Sequence, residues 1–218
     1  MTPPPALCFG DASFLPSFPK KGTAGRPLLL QGKDPLLGLF THRILAHHLL
    51  DPLQPISSCI IVCGNNVFHL DILVRESQDA GKDPRNLLSR VHISRTVTIH
   101  QFHTLVLSRL EKRIEETGAS LILLSGLLPL FADSAVFERE SLGLLPAVMA
   151  TLHRISFGMT IPCLIPVDRD EADRDRRSRR LFSLLESSSD SRSLVVPPPV
   201  VRPGGHRRPG RLFGTQES

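Results

Sequence analysis

The chain predicts an α/β fold: a mostly parallel sheet with helices on both faces. Short apolar runs alternate with longer segments of helical spacing, the order that βαβ units impose. The runs LLLQG, SSCIIVC, ASLILLS and TIPCLIPV are almost unbroken in apolar character. Strands covered on both faces read this way, whereas half-exposed strands alternate. At 41% hydrophobic residues, with no Trp or Tyr, the chain can bury a core that is mainly Leu, Ile and Val.

The elements follow in order. RPLLLQG predicts a strand over about 28–31, and LGLFTHRILAHHLL has helical spacing at Leu39, Ile44, Leu45 and Leu49. SSCIIVCGNN predicts a second strand over 58–63, stopped by Gly64, Asn65 and Asn66. HLDILVRESQDAG predicts a helix with Gly81 at its C-terminal cap. In DPRNLLSR, Asp83 is an N-cap and Pro84 takes the first helical position. VHISRTVTI is rich in β-branched residues and predicts the third strand. HQFHTLVLSRLEKRIEETG predicts one amphipathic helix ending at Gly118, and ASLILLSG the fourth strand. SAVFERESLGLLPAVMATLHRISFG predicts two helical pieces, because Pro146 lacks the amide donor a helix interior needs. MTIPCLIPV predicts a fifth strand near a sheet edge, given Pro162 and Pro166.

This pattern occupies 26–167 as a core domain. Residues 1–25, with Pro3, Pro4, Pro5, Pro16 and Pro19, read as a flexible arm whose Phe9, Phe14 and Phe18 could dock elsewhere. Residues 168–196 form a charged segment with room for one helix and one strand. The Arg/Gly/Pro-rich stretch 197–218 reads as a disordered tail. No apolar run approaches the roughly 18 residues that cross a bilayer, so no membrane partner is expected. The N-terminus lacks the basic and continuously apolar regions of a signal peptide. Cys59 and Cys63 would lie about 13 Å apart on one strand, too far to bridge. All four cysteines are expected to be reduced, in a cytoplasmic or nucleoid-associated setting.

Four stretches in order carry a family resemblance. IIVCGNNVFHLDIL has an apolar strand, a turn, a Phe and a helix; VHISRTVTIHQFHTLVLSRL has strand, Arg, turn, His-Gln and helix; ASLILLSGLLPLF has a buried strand; and the helix from Glu138 leads into TIPCLIPV. Together they resemble the ATPase core of the RecA superfamily, a P-loop NTPase fold, and most closely its archaeal and eukaryotic strand-exchange recombinases. The second stretch is one residue shorter than the family pattern between Arg95 and His100. The resemblance implies an ATP site, and at three of its functional positions the chain departs from the family. The P-loop pattern G-x-x-x-x-G-K-[ST] cradles phosphate with backbone amides and reaches it with Lys. Here GKDPLLGLFT supplies Gly32, but Gly38 comes one residue late. Aligned on Thr41, the lysine position is Phe40, while Lys33 sits at the far end beside Asp34. The Walker B carboxylate that would hold the magnesium water shell is Ser125, and the catalytic carboxylate is Asn65.

With Phe40, Asn65 and Ser125 standing where the ATPase residues should be, the resemblance implies a non-catalytic paralogue. No cofactor is expected, and ATP with magnesium would bind weakly at most, through Gly32, Lys33, Gly38 and Thr41. From Arg174 onward there are ten Arg against four acids. Arg176, Arg177, Arg179 and Arg180 form one cluster, and Arg202, Arg207, Arg208 and Arg211 another. Such segments bind nucleic-acid backbones without sequence preference. Asp168, Asp170, Glu171, Asp173 and Asp175 could instead neutralise the first cluster. The expected partners are single-stranded DNA and an active recombinase or other RecA-like protein, in recombination or repair. Two other readings stay open: a weak, divergent ATPase, and a protein-interaction module that does not touch nucleic acid. His100 with His103, His47 with His48, and Asp71, Glu76 and Asp79 read as packing or surface residues, so no metal site is expected. Arg95, at a strand end, could pair with a carboxylate or a phosphate, and the structural pairing with a carboxylate is expected.

Overall fold

The structure, a computed structural model, describes residues 6–8, 25–53, 57–65 and 67–195. Its strands are β1 (Ala6–Cys8), β2 (Leu28–Gly32), β3 (Ser58–Cys63), β4 (Val91–Arg95), β5 (Ala119–Ser125), β6 (Cys163–Asp168) and β7 (Asp190–Val195). They form one sheet in the order β1-β7-β2-β6-β5-β3-β4, and every pairing is parallel. The helices are α1 (Leu36–Leu50), α2 (Leu70–Asp79), α3 (Pro84–Leu88), α4 (Ile99–Ser108), α5 (Leu110–Thr117), α6 (Leu127–Phe131), α7 (Glu138–Gly158), α8 (Arg169–Asp173) and α9 (Arg176–Ser187).

Successive strand residues point to opposite faces, and the core divides accordingly. Leu28, Leu30, Cys59, Ile61, Cys63, Leu121, Leu123 and Leu164 pack against α1, α2 and α3. Leu29, Ile60, Val62, Ile122, Leu124, Cys163, Ile165 and Val167 pack against the helices from α4 onward. Each fully buried Leu or Ile contributes about 1.5–3 kcal/mol of transfer free energy, so both faces are needed to hold the sheet.

Local signals account for most boundaries. Asp83 accepts from the Arg85 amide at 2.9 Å, with Pro84 behind it. Gly81 and Gly118 adopt φ of +64° and +63° at helix ends, the left-handed conformation that costs a residue with a Cβ. Cys59, Cys63 and Cys163 are free and buried, and burial pushes the Cys59 and Cys163 thiols up to about 12.

Several expectations are corrected. The third strand stops at Arg95, because the Thr98 side chain accepts from the Gln101 amide and starts α4 at Ile99. The helix expected to run to Gly118 breaks at Arg109 into α4 and α5. Pro146 does not divide its helix: α7 runs unbroken over 21 residues. Leu145, Val148, Met149 and Leu152 are all buried around the proline, and this packing offsets one missing hydrogen bond. β6 is central, not near an edge. The Pro162 carbonyl accepts from the Ile122 amide of β5, so even-numbered residues of β6 direct their backbone polar groups toward β5. Pairing with β5 ends at Leu164, so the missing donor of Pro166 faces a gap rather than a ladder. The sheet also continues past Val167: β7 pairs with β2, and α8 and α9 pack on the sheet through Ala172, Leu181, Phe182 and Leu185. Ala6–Cys8 of the arm adds the outermost strand beside β7. The remainder of the arm up to 24, and the tail from 196, lie outside the described residues.

Candidate functional site

In an open parallel sheet, ligands bind beyond the carboxyl ends of strands where the following connections leave to opposite faces. β2 is followed by α1 on one face, and its neighbour β6 by α8 on the other. β5 and β3 repeat the arrangement through α6 and α2. A cavity of about 50 Å³ lies at this edge, lined by residues that include Asp34, Gly38, Thr41, Asn65, Ser125 and Asp168. The splaying of β5 and β6 beyond Leu164 helps to open it, and Pro166 forms part of its wall.

Asn65 and Ser125 meet directly. The Ser125 hydroxyl donates to Asn65 Oδ1 at 3.4 Å, and the same oxygen accepts from the Val67 amide at 3.2 Å. The Gly64 amide donates to the Ser125 carbonyl at 2.8 Å and ties the two strand ends together. Gly126 follows at φ +70°, and a Cβ there would lie 2.5 Å from Asn65 Cβ. Only glycine permits this approach.

The loop between β2 and α1 is short. The helix begins at Leu36, so Gly38, Phe40 and Thr41 lie inside it instead of in a wrapped loop. Two of the first-turn amides are already engaged: Leu37 donates to Lys33 O and Leu39 to Pro35 O, each at 3.1 Å. Gly32 is a buried strand residue paired with Asp168. Thr41 donates to the Leu37 carbonyl at 2.6 Å, and Phe40 is packed in the core. The Lys33 ammonium pairs with Asp170 at 2.9 Å on the open surface. Its hydrogen bond to Asp170 raises its pKa and holds it away from the cavity.

Two histidines fill the space next to this turn. His42 Nδ1 donates to the Gly38 carbonyl at 2.8 Å, while Nε2 accepts from the His69 amide at 3.3 Å. This arrangement requires a neutral ring, and burial holds the His42 pKa below its usual value. The His69 ring packs over Gly38, where a Cβ would come within 2.8 Å of His69 Nε2. Asp34, Asp168 and Glu171 supply three carboxylates to the lining. Burial, with Asp168 and Asp34 as neighbours, pushes the Glu171 carboxyl up. Among the described residues, no three His, Cys, Asp or Glu side chains converge to hold a metal ion. The sequence carries the site's strand-end residues plainly, whereas His42 and His69 went unrecognised as parts of it. His42 sits inside an apolar helical stripe, where it looks like any core position.

The α9 arginines divide. Arg177 donates to the Val136 and Phe131 carbonyls and to Ser141 Oγ, each at 2.7 Å. Arg180 pairs with Glu138 at 2.6 Å. Arg176 and Arg179 are exposed. The acids nearby act on other groups: Asp175 caps α9 through the Ser178 amide at 2.7 Å, and Asp170 holds Lys33. Arg202, Arg207, Arg208 and Arg211 lie outside the described residues. Arg95, expected to find a carboxylate, makes no ion pair among the described residues and lines a groove with Arg109. His100 pairs with Glu140 at 3.0 Å. Among the described residues, no helix is long and apolar enough to cross a membrane.

Comparison with protein-family models gave no match, and comparison with curated proteins gave no match either.

Proposed function

We propose that this chain is a RecA-type paralogue that does not turn over ATP, and that it assists DNA recombination or repair by binding single-stranded DNA, an active recombinase, or both. One observation carries the reading. Two of the three positions where the resemblance expects ATPase residues, Asn65 and Ser125, meet at the switch-point edge of a parallel sheet, in a cavity too small and too acidic for a nucleotide. Ligand pockets for small molecules usually measure about 300–1,000 Å³, against about 50 Å³ here. Asp34, Asp168 and Glu171 line the cavity, with no lysine or arginine among the lining residues. ATP with magnesium does not fit these residues. Asn65 and Ser125 instead hold each other, joining the ends of β3 and β5. The exposed Arg176 and Arg179, with the arginines of the tail, support an anionic partner.

The test is fluorescence anisotropy of a labelled single-stranded oligonucleotide, titrated with the full chain across a salt series, with and without ATP and magnesium. Binding that weakens with salt and is indifferent to ATP supports the reading. Absence of binding at low salt, or affinity that depends on ATP, would sink it.

A further inference from the structure

An open groove of about 460 Å³ runs between the end of the edge strand β4 and helix α4. Arg95, His100, Gln101, Thr104 and Arg109 line it, and no carboxylate does. We propose that this groove seats the backbone phosphates of a single-stranded nucleic acid. The inference rests on the DNA-binding reading above and places a contact on the folded core in addition to the tail.

The two guanidiniums carry the argument. Several surface arginines are occupied, Arg154 by Glu111, Arg43 by Glu76 and Arg180 by Glu138. The side chains of Arg95 and Arg109 make no hydrogen bond or ion pair with any described residue, and both are exposed. They flank α4, Arg95 ahead of its first turn and Arg109 just past its last. Ten helical residues span roughly 15 Å, long enough for more than one backbone phosphate. A planar guanidinium matches two phosphate oxygens at once. Between them, Thr104 offers a hydroxyl. Gln101 uses its carbonyl to accept from the Val97 amide at 3.0 Å, which leaves its NH₂ group as a donor into the groove. One acid, Glu140, pairs with the lining residue His100 at 3.0 Å. Val97, 65% exposed, supplies apolar surface nearby but no aromatic ring. Base stacking is therefore weak, and binding should show little sequence preference.

The experiment compares full-length wild type with R95A/R109A, with T104E as a second surface variant, and with a chain ending at 196. All are checked for native circular dichroism and titrated with the labelled oligonucleotide across a salt series. Each phosphate contact on a single strand contributes about 0.7 to the log–log salt slope, so losing two flattens it by ~1.4. R95A/R109A is expected to weaken binding at least about tenfold with that change in slope, and T104E, by placing a carboxylate in the groove, to weaken it too. Wild-type affinity and slope in folded R95A/R109A or T104E would overturn the groove assignment. If the chain ending at 196 lost binding in that case, the DNA reading would stand on the tail alone. Failure of the wild-type chain to bind at all would overturn both.

Discussion

Arg177 and its neighbours on α9 have the same chemistry but different surroundings. Arg177 satisfies two backbone carbonyls and a serine hydroxyl that join α9 to the α6–α7 connection. Replacing it with alanine strands these acceptors and is predicted to cost about 3 kcal/mol, measured by chemical denaturation. Arg176→Ala and Arg179→Ala should stay within about 0.5 kcal/mol, the usual range for surface positions. His42 makes a pH-dependent prediction. Its folded pKa is lowered, so the neutral ring is the form the fold stabilises. That contribution is complete above the unfolded value of about 6.5 and is lost progressively as pH falls through it toward the folded value. Unfolding free energy should therefore decline as pH falls below about 7, and His42→Gln should flatten that slope. An unchanged slope in the variant would show that His42 does not titrate in this way. Phe40 belongs at the same scale. It occupies the position the family resemblance gives to the phosphate-binding lysine, yet it is a core side chain at 8% exposure. Phe40→Lys is predicted to lower stability by about 3 kcal/mol or more, and to confer no ATP turnover.

At the scale of elements, the strand ends decide what the site can be. β3 and β5 are drawn together by the Gly64–Ser125 and Ser125–Asn65 hydrogen bonds, with Gly126 giving way to Asn65. Gly126→Ala combines a left-handed backbone with a 2.5 Å overlap, and is predicted to destabilise by at least about 2 kcal/mol. Gly118→Ala, at similar φ but with nothing within 4 Å, should cost only about 1 kcal/mol. Equal losses at the two sites would mean that contact with Asn65 is unimportant. The strands were legible because a parallel sheet demands continuous apolar runs, and SSCIIVC and ASLILLS have no other reading. The caps at Asp83, Gly81 and Gly118 were legible for the same local reasons. Sheet order was not. The prolines of β6 suggested an edge, because periodicity carries no information on which neighbour a missing amide faces. Pro146 suggested a break, because its neighbours' burial depends on contacts distant in the chain. The collapsed loop after β2 was half visible: the misplaced Gly38 showed that the phosphate pattern fails, but not that the helix begins four residues after Gly32.

At the scale of the whole molecule, charge is segregated. The switch-point cavity is acidic, while the groove beside β4, the exposed face of α9 and the tail sequence are basic. A polyanion should be turned away from the first and drawn to the others. Deleting 197–218 removes four arginines that the sequence places there, and should flatten the salt slope for single-stranded DNA by up to about 3. The proposal that this chain is a RecA-type paralogue holds that its ATP site has been closed and made anionic. Titration of a fluorescent ATP analogue, with and without magnesium, tests this most directly, and the lack of Trp and Tyr keeps the protein background low. The account predicts no saturable binding up to millimolar analogue under either condition. Magnesium-dependent binding in the micromolar range would contradict it, and would mean that Asn65 and Ser125 serve a working nucleotide site.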